Sequence, residues 1–165
     1  MSKMQTIYLH TGSNMGDPAH QLKEAIQHIE EQIGTVTQQS SVYETEPWGL
    51  PNQPNFFNQA LEVKTTLVPE IVLQKIHQIE ASMGRTRTEK WAARNIDIDL
   101  IFYANQKIQT EELTVPHPHL QDRNFVLIPL LEIAPEFMHP ELGETIEELY
   151  FRCNDTLEVI MLEKE

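Results

Sequence analysis

Apolar residues along the chain change period in an ordered way. Residues 5–11 alternate around Ile7 and Leu9 and predict a strand, followed by a turn of small residues at Gly12, Ser13, Asn14 and Gly16. Asp17 and Pro18 then predict a helix start, since an Asp side chain caps the first turn and proline fits the first helical position. Leu22, Ala25, Ile26, Ile29 and Ile33 recur at helical spacing until Gly34. Residues 35–44 predict a fairly polar strand, and residues 45–55 an irregular loop rich in proline. Phe57, Leu61 and Val63 alternate in the next strand. Pro69 opens a second helix that carries Val72, Ile76, Ile79 and Met83 on one face and stops at Gly84. With a strand over residues 96–102, the first 103 residues read β, α, β, β, α, β. That order predicts an α+β, ferredoxin-like (split βαβ) fold, with an antiparallel sheet, helices packed on one face and a less regular C-terminal extension.

Strand parity then sorts the polar residues. Ile96, Ile98, Leu100 and Phe102 form one apolar face, so Asp97 and Asp99 project together from the other. Two like charges roughly 6 to 7 Å apart along a strand repel, and a shared hard cation such as magnesium offsets that repulsion. Alternating acidic residues also mark the wet face of a half-exposed sheet. Here, however, Arg85, Arg87, Lys90 and Arg94 immediately precede the two anions. A solvated face mixes its signs; a basic loop leading into a carboxylate pair points to a polyphosphate site. On the preceding strand, Phe56 and Asn58 share the face opposite Phe57, Leu61 and Val63. An aromatic plate beside a carboxamide suits a flat heterocycle such as a pterin or purine.

Composition narrows the choice. At 165 residues and 40% apolar content the chain suits one globular domain, expected over residues 1–165 as a monomer. A formal net charge of −13 with only 12 Lys and Arg residues argues against nucleic acid as a partner. One third of those cations lie between Arg85 and Arg94, so an anion site is local. Cys153 is the single cysteine, no leader pattern opens the chain, and residues 125–133, the most apolar window, are broken by Pro129 and Glu132. A cytoplasmic chain with no membrane segment is expected. The phosphate loop G-x-x-x-x-G-K-[ST] and the spacing G-x-G-x-x-G are both missing. ATP would therefore be held by Arg85, Arg87, Arg94 and Arg123, two metal ions and a histidine of Val115-Pro116-His117-Pro118-His119. The H-P-H element invites a zinc reading, but with neither a cysteine nor a third histidine nearby a structural turn or a nucleotide contact is the better reading.

Four stretches, YLHTGSNMGD, YETEPWGLPNQPNFFNQ, KWAARNIDIDLI and VPHPHLQDRNFVLIPLLEIAP, resemble in order and spacing the 6-hydroxymethyl-7,8-dihydropterin pyrophosphokinases of folate biosynthesis, over nearly the whole chain. The resemblance implies magnesium-dependent transfer of pyrophosphate from ATP to the hydroxymethyl group of a reduced pterin, with AMP released. It implies that Asp97 and Asp99 ligate two magnesium ions and that Arg85 and Arg94 clamp the phosphates. The pterin would lie between Phe56 and Phe125, read by Asn58 and the backbone around Thr45, Pro47 and Trp48. Glu80, Arg87, Trp91, Leu100, Thr114, His117 and Arg123 would contact the nucleotide. Residues 84–93 and 45–55 match the family's mobile lids. The chain departs from the family pattern at Ala92-Ala93, where Gly-Pro is common, at Pro118, where an aromatic is frequent, and at His10-Thr11, which replaces a small apolar pair.

Overall fold

The computed structural model describes residues 3–46, 54–84 and 96–162. Strand β1 (Gln5–Ser13) is followed by helix α1 (Pro18–Gln32), whose Asp17 cap accepts from the His20 N–H at 3.3 Å. Gly12 and Ser13, expected in a turn, extend β1 instead, and the chain bends at Gly16, whose φ of +61° suits glycine. The expected strand over residues 35–44 is two: β2 (Thr35–Gln39) and β3 (Tyr43–Thr45). Both pair antiparallel with β4 (Phe56–Thr65), one beyond the other, so together they act as one broken strand. The break has a cause. Ser40 still donates its N–H to Ala60 O at 2.9 Å, but Glu132 accepts from the Ser41 N–H and Oγ and from the Tyr43 hydroxyl, so the Ser41 donor goes to a side chain of the C-terminal extension instead of the ladder.

Helix α2 (Pro69–Ser82) buries Val72, Ile76 and Ile79 and ends at Gly84, φ +85°. Strand β5 (Asp97–Tyr103) pairs with β1, giving the antiparallel order β5-β1-β4-β3-β8, where β8 (Val159–Met161) comes from the C-terminal extension. The ferredoxin-like arrangement stands. Helices α1 and α2 cover one sheet face, over a core of Ile7, Leu9, Leu61, Val63, Ile98 and Leu100.

The extension contributes a short hairpin of β6 (Ile108–Gln109) and β7 (Thr114–Val115), then α3 (Asn124–Ile133) and α4 (Ile146–Arg152). These last two helices cover part of the opposite face, burying Tyr8, Ala60, Ile101 and Phe102 against Val126, Leu127, Leu130 and Leu149. Phe102 was expected with Ile96, Ile98 and Leu100. A bulge moves it across: Leu9 pairs with Leu100 but Tyr8 with Phe102, so Ile101 is the extra residue and the alternation reverses after it. Among the described residues no helix is long and apolar enough to cross a membrane.

Candidate active site

The uncovered part of the second sheet face lies at the strand ends. Register places Gly12 of β1 between Asn58 of β4 and Asp97 of β5, His10 beside Asp99, and Thr45 of β3 beside Phe56. Arg123 and Phe125, at the start of α3, close one side. These residues line a cavity of about 140 Å³, with Glu46 at its rim. Its floor depends on Gly12, because a Cβ there would stand 3.2 Å from Asn58 Oδ1 and 4.0 Å from the Phe56 ring.

Inside, the polar groups are tightly fixed. The buried Asn58 amide donates from Nδ2 to Thr45 Oγ1 at 2.8 Å, which orients its oxygen toward Gly12. Phe56 and Phe125 are both half-buried, and the Arg123 guanidinium lies 5.9 Å from the Phe125 ring centre. His10 Nε2 is 3.0 Å from the Phe125 carbonyl oxygen. A carbonyl can only accept, so Nε2 carries the proton. Burial lowers the pKa of His10, opposed by the nearby Asp99, and the ring stays neutral at physiological pH.

A second cavity, about 350 Å³ and more polar, opens on the other side of the carboxylate pair, along the outer edge of β5. Glu80 of α2, Leu100, Thr114 and His117 line it together with Asp97 and Asp99. The buried Glu80 accepts the Ile98 N–H at 2.9 Å, so a helix carboxylate satisfies an edge donor between the two aspartates. The His117 backbone N–H donates to Ile101 O at 3.0 Å, and His117 Nδ1 accepts from the His119 N–H at 3.3 Å. Burial, then the Arg123 charge, then His119 lower the His117 pKa to about 4.

Thr45, Phe56, Asn58 and Phe125, expected around one ring, do line one cavity, and Glu80, Leu100, Thr114 and His117, expected around the nucleotide, line the other. Arg123, expected with the second group, lines the first cavity. Asp97 and Asp99 border both. Pro47, Trp48, Arg85, Arg87, Trp91 and Arg94 lie outside the described residues, as do Ala92 and Ala93. Sequence reasoning missed Gly12 and His10 as cavity residues, although their parity with Tyr8 on β1 puts them on the carboxylate face. It also missed His77 and Glu112 in the second cavity. Among the described residues no three His, Cys, Asp or Glu side chains cluster as a metal-ligand set. Two half-open carboxylates suit a hard cation that completes its shell with phosphate and water better than a closed protein cage.

The family described as 7,8-dihydro-6-hydroxymethylpterin-pyrophosphokinase (HPPK) matches residues 8–135. A 2-amino-4-hydroxy-6-hydroxymethyldihydropteridine pyrophosphokinase of Aquifex aeolicus is 42% identical over 154 residues, covering 93% of this chain and 94% of that protein. The protein of the same name from Bacillus subtilis is 42% identical over 130 residues, 78% of each chain. In fold, a crystal structure of wild-type Plasmodium falciparum HPPK-DHPS superimposes on 92% of this chain with a TM-score of 0.72 at 18% identity. This chain spans 45% of that one. Two cavities meeting at a carboxylate pair, on a ferredoxin-like sheet, thus accompany a sequence match over most of the molecule: the chain belongs to the 7,8-dihydro-6-hydroxymethylpterin-pyrophosphokinase family.

Proposed function

We propose that this chain transfers the pyrophosphoryl group of ATP to the hydroxymethyl group of 6-hydroxymethyl-7,8-dihydropterin, releasing AMP, a step of folate biosynthesis. One observation carries the reading: Asp97 and Asp99 border both the aromatic cavity and the polar one, so two substrates bound there have their reacting ends at the same carboxylates. The pterin lies between Phe56 and Phe125 with its edge read by Asn58. The nucleotide lies along the β5 edge against Glu80, Leu100, Thr114 and His117, and Arg123, which lines the first cavity from the α3 start, is assigned to the nucleotide where the two ligands meet. Arg85 and Arg94 are assigned to the phosphates, Arg87 and Trp91 to the nucleotide, and Pro47 and Trp48 to the pterin.

In the reaction the hydroxymethyl oxygen attacks the β-phosphorus and loses its proton. The bond from that phosphorus to the oxygen bridging the α-phosphate breaks, and AMP departs. Transfer of this kind needs in-line placement and charge stabilisation more than a protein nucleophile. Asp97 and Asp99 would hold magnesium, two ions on this reading. Bound there, magnesium neutralises phosphate charge as it moves. The enzyme is taken to act as a single-domain monomer in the cytoplasm, independent of nucleic acid and membrane.

The test is incubation of the purified chain with ATP, magnesium and the reduced hydroxymethylpterin. AMP and pyrophosphorylated pterin are expected in equal amounts. ADP as the product, or AMP formed equally fast without the pterin, overturns the reading. Asp97→Ala should abolish turnover while leaving pterin affinity largely intact, and turnover surviving in that variant removes the dyad from its role.

A further inference from the structure

Pro129 sits inside α3 and has no backbone N–H. In a helix the donor at one position serves the carbonyl four residues earlier, so the Phe125 carbonyl lacks its helical partner. A proline ring in a helix also crowds the carbonyl four residues earlier. His10 takes the freed oxygen. It comes from the middle of β1, 115 residues away in sequence, is 4% exposed, and donates from Nε2 at 3.0 Å. Its ring meets the Phe125 ring edge to face, with centroids 5.8 Å apart at 63°. The same side chain therefore holds both the backbone and the ring of a residue that walls the first cavity.

We propose that His10 is a positioning residue: by donating to the carbonyl that Pro129 releases, it fixes Phe125 as the wall of the pterin cavity and sets affinity for the pterin. This rests on the pterin reading of that cavity. His10 lines the pterin cavity itself, so its loss should weaken the pterin rather than ATP, and its dependence on Pro129 separates positioning of Phe125 from direct contact. The link to Pro129 is specific too. With alanine at 129, the helix regains the N–H for Phe125 O, and the donor from β1 becomes redundant.

The experiment is a cycle of His10→Ala, Pro129→Ala and the double variant, with His10→Gln as the conservative change that can return a side-chain N–H to the same oxygen. Steady-state kinetics for each substrate are measured together with urea unfolding of the substrate-free proteins. Losing one buried hydrogen bond and a ring contact should raise KM for the pterin roughly five- to tenfold. KM for ATP should stay within about twofold, and His10→Gln should recover most of the loss. In the Pro129→Ala background the same His10→Ala change should shift pterin KM by less than about twofold, and its effect on unfolding should shrink in parallel. Equal weakening of both substrates, an unchanged pterin KM, or a full penalty in the Pro129→Ala background overturns the proposal. Failure of the wild-type protein to form AMP would refute the functional reading instead, and the unfolding cycle would still decide the His10–Pro129 link.

Discussion

Replacing Gly12 with alanine tests the floor of the aromatic cavity with a single methyl group. Its backbone stays within the extended region of β1, so alanine adds no conformational strain. The new Cβ would stand 3.2 Å from Asn58 Oδ1, 3.7 Å from Phe57 O and 4.0 Å from Phe56 Cδ1. Only the first contact is tight, and it asks Asn58 to withdraw by a few tenths of an ångström. Asn58 cannot do so freely, because its Nδ2 is bonded to Thr45 Oγ1 at 2.8 Å. The amide therefore tilts and weakens either that bond or the one it makes to the pterin edge. A buried neutral hydrogen bond is worth about 1 kcal/mol, so pterin affinity should fall about fivefold. Stability should barely change, because alanine in place of a strand glycine gains about 0.5 to 1 kcal/mol, which offsets strain in the Asn58 pair. Titration calorimetry with the pterin and a non-hydrolysable ATP analogue, beside urea unfolding, reads both effects. Pterin affinity within twofold of the parent would refute the argument, as would a stability loss beyond about 2 kcal/mol.

Gly34→Ala should be far more damaging to folding, because its Cβ would come within 2.1 Å of Lys64 O and 2.9 Å of Lys64 C, both backbone. A loss of about 3 kcal/mol, lowering the melting temperature by roughly 10 °C, is expected by calorimetry, and an unchanged melting point would count against the packing of the α1–β2 corner on β4. Glu80→Ala strips the acceptor from the Ile98 N–H and should destabilise by about 1 to 3 kcal/mol, whereas Glu80→Gln keeps an oxygen there and should recover most of it. Equal losses in the two variants would show that the carboxylate charge, not the edge hydrogen bond, matters. The depressed His117 pKa makes stability fall with acid: the unfolded chain takes up this proton near pH 6.5 and the folded chain near pH 4. Its contribution is therefore complete above pH 6.5 and lost as the pH falls to 4, an effect on the order of 3 kcal/mol. Unfolding of His117→Gln across that window should show a shallower decline, and an identical slope would remove His117 from the account.

What the sequence reveals about this molecule depends on how local each cause is. Period-two alternation needs no tertiary information, so Phe56 with Asn58 and Asp97 with Asp99 could be assigned to common faces from their positions alone. The Asp17-Pro18 helix start is equally local. Phe102 is different: in Leu100-Ile101-Phe102-Tyr103 every residue is apolar, so the pattern tolerates either parity, and only the slip in pairing opposite Tyr8 and Leu9 decides it. Ser41 reads as continuous strand because the carboxylate that takes its N–H, Glu132, lies 91 residues away. His10 looks like a polar interruption of an apolar strand until α3 presents a carbonyl that its own proline has left without a donor.

The misses at Ser41 and His10 share an origin in the C-terminal third, whose pattern is the least regular, and that third decides where the site is. The second face of the sheet runs without interruption from Tyr8 to Gly12 on β1 and from Ala60 to Phe56 on β4. Nothing in those strands alone marks where burial stops and a cavity begins. α3 and α4 set the boundary: they cover Tyr8, Ala60 and Phe102 and leave Gly12, Asn58, Asp97 and Asp99 to line the cavity. The first residues of α3 then become the cavity wall, which is why its N-terminal turn carries Arg123 and Phe125 while its later turns carry Val126, Leu127 and Leu130 into the core. Ligand residues are thus written into the strands by parity, but the cavity they line lies where the cover from α3 and α4 ends, at Ile101 on β5, two residues from Asp99.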